Sequence, residues 1–175
     1  FKLELIKDKI LFDLIPKTEK NVKKGNKIFG AIILNKKNYS TIVIGVNNEL
    51  SNPLLHGEIS TINNFFKIKK YINPKDCIFV SSHEPCSLCL SGITWSGFDN
   101  FIYLYPYEET KSHFNIPHDL KILDKVFKVK KGQYNRHNYY WKSYSIIKEI
   151  SKLSKNKQNL LNGKISIINQ KYKYL

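Results

Sequence analysis

The sequence contains no methionine, only three cysteines and a single arginine, Arg136. Each scarcity excludes something. Three cysteines cannot make a disulfide framework, so the fold must rest on an apolar core. No apolar run approaches the roughly 20 residues needed to cross a bilayer, and a membrane partner is not expected. Phe1 is not an initiator, and the residues after it carry no secretory pattern, which suits a cytoplasmic protein. The scarcity of arginine bears on the formal net charge of +15. Such a charge would ordinarily indicate a polyanionic partner. Phosphate-reading surfaces, however, recruit arginine for its bidentate fork, and here every other basic residue is lysine. With many Asn and Ile residues alongside, the charge reads as compositional drift rather than as a nucleic-acid footprint. Repeats, low-complexity linkers and a domain boundary are also missing.

What is present is an ordinary globular balance. Hydrophobic residues are 42% and charged residues 25% of the 175, which argues for one well-cored domain. We read residues 1–175 as that domain, with a core over about 22–128 and a helical extension over about 139–175. Residues 1–20 have helical spacing and end near Pro16. Residues 28–34 and 41–46 are apolar strands around an Asn35–Asn38 turn, hence a hairpin. Residues 54–70 suit an amphipathic helix, 77–81 a third strand, and 101–105 a fourth. A helix opens at Pro85, where a missing N–H costs nothing, and stops near Gly97. Another spans 119–128, and the region from Tyr139 to about Lys157 is predicted to be helical. Strand alternating with helix implies right-handed crossovers and parallel pairing in that half of the sheet.

Two of these helix starts carry chemistry. His56-Gly57-Glu58 opens one and Pro85-Cys86-Ser87-Leu88-Cys89 opens the other. Cys-x-x-Cys on a first helical turn aims both sulfurs at one point, and the positive helix end favours thiolates. Two thiolates and an imidazole, His56, make three protein ligands. That count leaves a fourth position open, the layout of a catalytic zinc rather than a closed structural one. Glu58, two residues from His56, can face the same cavity without ligating the metal and can move protons there. Cys-x-x-Cys alone would fit a redox pair or half of a structural zinc site equally well; the upstream His-x-Glu decides for catalysis. Cys77 opens an apolar strand and reads as core. His83 reads as a loop-shaping residue, and His113, His118 and His137 have no assigned role.

H-x-E followed by P-C-x-x-C resembles the signature of the zinc nucleobase deaminases. Residues 28–105 are similar to the cytidine and deoxycytidylate deaminase superfamily. The His56–Thr61 motif looks like that of cytosine deaminases, and Glu84–Ile93 looks like that of guanine and tRNA adenosine deaminases. Phe29-Gly30-Ala31 and Gly45-Val46-Asn47 match the hairpin that frames the pocket in those enzymes. The resemblance implies a three-layer α/β/α sandwich around a mixed five-stranded sheet, a Zn²⁺ cofactor, and commonly a homodimer. It also implies that Asn47 hydrogen-bonds the base and that the backbone of Ser82–Glu84 accepts from the exocyclic amine. Phe29 and Trp95 become candidate ring walls, and Phe114 and Asp119 the aromatic and acidic groups that close the pocket. The expected activity is hydrolytic deamination of a free nucleobase or nucleoside (cytosine, guanine or a related heterocycle). The alternative is editing of adenosine in tRNA, which the charge and the Lys128–Lys131 cluster would suit. The single arginine and the C-terminal extension, able to cap a small site, favour the small molecule.

Overall fold

The computed structural model describes residues 1–175. Its five strands are β1 (Gly30–Asn35), β2 (Thr41–Val46), β3 (Cys77–His83), β4 (Asn100–Tyr105) and β5 (Lys142–Ser145). They form one sheet in the order β2-β1-β3-β4-β5. β1 pairs antiparallel with both β2 and β3, whereas β3–β4 and β4–β5 are parallel. The helices are α1 (Leu3–Asp8), α2 (Ile15–Val22), α3 (Gly57–Phe66), α4 (Ser87–Trp95), α5 (Tyr107–Phe114), α6 (His118–Lys125), α7 (Ile146–Ser151) and α8 (Lys155–Lys173). None is long and apolar enough to cross a membrane.

Alternation along the strands divides the apolar side chains between two faces. Ile32, Leu34, Ile78, Val80, Ile102 and Leu104 pack with Ile6, Ile10 and Leu14 of the N-terminal helix and Leu161 and Ile168 of α8. On the other face, Ala31, Ile33, Phe79, Phe101 and Tyr103 pack with Ile62 and Phe65 of α3 and Leu90 and Ile93 of α4. Helices thus cover both faces, and the architecture is the α/β/α sandwich with a mixed sheet that the sequence implied.

Three local expectations differ from the structure. The N-terminal helix does not end at Pro16 but continues to Val22. Pro16 stands in the first turn of α2, and the stretch before it, Lys9–Leu14, is π-helical, with Ile15 N–H reaching Ile10 O. A widened turn makes room for the pyrrolidine ring and for the missing donor. Secondly, Pro85 lies one residue before the helix cap, since Cys86 itself is the N-cap of α4. Thirdly, the region from Tyr139 onward opens not with helix but with β5. Lys-Ser-Tyr-Ser has neither strand length nor apolar alternation; it becomes a strand because β4 offers an unpaired edge. Trp141 anchors it, buried against Phe101 at a ring separation of 4.9 Å, with Nε1 donating to Thr94 Oγ1 at 2.8 Å. The sheet therefore draws its fifth strand from the C-terminal segment.

Candidate metal centre and active site

Two helix N-termini converge beside β3. His56 caps α3 and Cys86 caps α4, both with extended backbone, and Cys89 follows on the first turn of α4. His56 is held in place from its neighbour: Gly57 N–H donates to the Asn47 side-chain Oδ1 at 2.6 Å. Gly57 also lies flush on β1, where a Cβ would meet Gly30 Cα at 2.6 Å and Phe29 O at 2.8 Å. Thr61 Oγ1 completes the docking through the carbonyls of Gly57 and Ala31, at 2.7 and 3.2 Å.

The three donors form a compact triangle. Cys86 Sγ is 3.3 Å and Cys89 Sγ 3.6 Å from His56 Nδ1, and the two sulfurs are 3.5 Å apart. Ligand bonds of about 2.0–2.3 Å at tetrahedral angles place donors roughly 3.3–3.8 Å from one another, so this triangle fits zinc without rearrangement. No fourth protein donor joins the group. Both sulfurs are buried. The Cys86 thiol is pulled down to about 4, first by the hydrogen bond from Cys89 and then by His56, against the cost of burial. Cys89 shifts the opposite way, raised by burial and by the neighbouring Cys86 and Glu58. His56 is raised chiefly by its contact with Cys86. One thiolate, one thiol and a charge-prone imidazole packed together are an electrostatic arrangement that a dication would relieve.

Glu58 lies beside the triangle and is not part of it. Its carboxylate is buried, with Oε1 accepting from Ser81 Oγ at 2.6 Å and Oε2 facing Cys89 Sγ at 3.2 Å. Burial raises its pKa, the Cys86 thiolate adds to the shift, and the Ser81 bond opposes it. The result is a carboxyl group that holds a proton more readily than one in water, fixed next to the metal donors.

A cavity of about 60 Å³ opens onto these groups. Of the residues expected around a ring, Phe29, Asn47 and Asp119 line it. Asn47 uses Oδ1 on Gly57, which leaves its amide NH₂ for a ligand. Asp119 is raised to about 7, first by burial and then by Cys86 and Glu58. Phe114 stands one layer back, its ring 5.0 Å from that of His83. Trp95 is not a wall of this cavity: it ends α4 and is 91% exposed. The helix turns its side chain outward, and apolar character alone could not distinguish the two faces. Other residues in the lining had no role or a lesser one in the sequence reading: Lys27, His83, Glu84, Ile116 and His118. His83 is buried and neutral, its pKa lowered to about 3 by burial, with Nδ1 2.9 Å from Ser82 Oγ. Ile116 comes from the α5–α6 connector and His118 opens α6. In the sequence only the nearby Asp119 could have pointed to them.

The fold and the donor triangle define an α/β protein with three donors able to hold a metal ion and a buried carboxylate beside them. Residues 6–105 match the family described as the cytidine and deoxycytidylate deaminase zinc-binding region, and the chain belongs to that family. It is similar to guanine deaminase of Bacillus subtilis (strain 168), at 36% identity over 70 residues, 39% of this chain and 44% of that protein. The matched segment thus spans less than half of that relative. A solved structure of guanine deaminase from Bacillus subtilis shares the fold, with a TM-score of 0.56 and 24% identity, covering 75% of this chain and 85% of the other. A variant of NE0047 in complex with 8-azaguanine does so at a TM-score of 0.61 and 13% identity, covering 97% and 86%.

Proposed function

We propose that this chain is a zinc-dependent hydrolytic deaminase of a free nucleobase, with guanine or a related amino heterocycle as substrate. The observation that carries the reading is the buried Glu58 carboxyl beside the His56, Cys86 and Cys89 donors. Its catalytic part is supported by family membership. Its purine part is supported by the names of the relatives, a guanine deaminase and a protein that binds 8-azaguanine. Zinc held by the three donors would supply Lewis acidity, which brings the ionisation of water towards neutral pH.

The chain's own groups do the rest. Glu58 takes one proton from the attacking water and passes it to a ring nitrogen, then takes the second from the newly added hydroxyl and delivers it to the departing amine. Water oxygen bonds to the ring carbon, the exocyclic C–N bond breaks, and ammonia leaves. Asn47 orients the ring through its free NH₂ and Phe29 covers one face. A homodimer belongs to the same reading; exposed Trp95 is an apolar group available to it, and sedimentation measures it.

The test is Glu58→Ala. It should keep stoichiometric zinc and lose roughly 10²–10⁴-fold in ammonia release from the preferred base. Metal content is read by elemental analysis. An alanine variant as active as the wild type would overturn the mechanism.

A further inference from the structure

The chain's one arginine is committed to a single buried carboxylate, that of Glu84, which immediately precedes the Pro85–Cys89 turn. Arg136 Nη2 donates to Glu84 Oε1 at 2.7 Å, and Tyr134 Oη donates to the same oxygen at 2.9 Å. Glu84 Oε2 accepts from Tyr107 N–H at 3.0 Å, and the Glu84 side chain has no exposure at all. The backbone is held as firmly: Glu84 N–H donates to Tyr105 O at 2.7 Å, and Tyr107 Oη to Pro85 O at 2.5 Å.

We propose that Arg136 is a positioning residue for the metal centre, holding the turn through Glu84 so that both sulfurs meet His56 Nδ1. The inference rests on the zinc reading above. The turn needs such a hold. Pro85 has no N–H with which to anchor it, so Glu84 and Pro85 are held through the Glu84 carboxylate, the Glu84 N–H and the Pro85 carbonyl. Of these, the carboxylate ties the turn to two separate segments: α5 through Tyr107, and the 134–136 loop through Tyr134 and Arg136. Sulfur positions must be right within a few tenths of an ångström for zinc to bind well.

A lysine could not replace this group. The guanidinium lies over the Tyr134 ring, 4.5 Å from its centroid, while Nη2 also reaches Gly132 O at 3.3 Å. Both donations leave Nη2, and the flat guanidinium face stacks on the ring, which a compact ammonium cannot do. In a chain whose other basic residues are all lysine, the single arginine stands where those properties are used.

The test measures zinc affinity of the full chain by competition with a chromophoric chelator, in Arg136→Met and Arg136→Lys. Loss of a group that orients metal ligands weakens binding roughly 10–100-fold, and Arg136→Met should fall in that range. Arg136→Lys, which keeps Glu84 from standing bare and so protects folding, should be weakened less than Arg136→Met but measurably. Either variant binding zinc as tightly as the wild type, even with a lower melting temperature, would overturn the inference and leave the zinc reading intact. A wild-type chain that binds no zinc would overturn both.

Discussion

Gly57 has the most constrained backbone position in the centre. It separates His56 from Glu58, and its missing side chain lets α3 lie against the Gly30 backbone, with Cβ-to-Cα room of only 2.6 Å. Gly57→Ala should push the helix start away from β1 and carry both functional side chains with it. A cost of about 1–3 kcal/mol in stability is expected from the overpacking, read by denaturant melts, along with weakened zinc binding. Unchanged stability would mean that the helix start shifts freely, and that the close contact positions nothing. His56, Glu58, Cys86 and Cys89 were legible in the sequence because each pair lies within four residues on one helix start, so local spacing carries the geometry. His118 and the Arg136–Glu84 pair were not, because 52 positions separate Arg136 from its partner and no local period records such a contact. Trp95 misled for a related reason: an aromatic next to the motif points inward or outward according to which helical face meets α3.

Among the elements, the apolar strands β1 to β4 could be read directly, since runs such as Ile-Phe-Gly-Ala-Ile-Ile-Leu can be little else. β5 depended on the free edge of β4, and α8 on the apolar surface that α1 presents to it. The α1–α8 contact contains Lys7, which has no exposure and donates from Nζ to Leu161 O at 2.9 Å. Its pKa is lowered to about 8, chiefly by burial and then by Lys164, with Glu4 and Asp8 opposing. The sign follows from the charged form being disfavoured in the fold. Below pH 8 both folded and unfolded chains carry the proton, and the cost of burying it is felt in full. As pH rises from 8 towards the ordinary value of 10.5, the folded chain releases the proton first, and stability increases through Lys7. The melting temperature of the wild type relative to Lys7→Met should therefore rise between pH 8 and 10. A difference that stays flat over that window would mean Lys7 is solvated when α8 breathes.

At the scale of the whole molecule, the net charge of +15 and the proposed small neutral substrate make opposite demands on salt. A protein that neutralises six to ten phosphates loses roughly 10³–10⁵ in affinity between about 50 and 200 mM salt, because bound counterions are released. A neutral base displaces none. The one residue suited to bidentate phosphate contact, Arg136, is paired with Glu84, so phosphate contact would fall to lysines alone. Deamination of guanine should then keep its kcat/KM nearly constant over that salt range, measured as ammonia release. An anticodon stem-loop assayed alongside should show no turnover at either salt. If the stem-loop were the better substrate and its kcat/KM collapsed with salt, the lysines would be a nucleic-acid surface after all. The base would then have to be flipped into the same His56–Glu58 cavity at a cost of a few kcal/mol. On the proposed reading the chemistry at Glu58 would be unchanged by that outcome, since the donor triangle and its carboxylate would act on an amino group whether or not a sugar is attached.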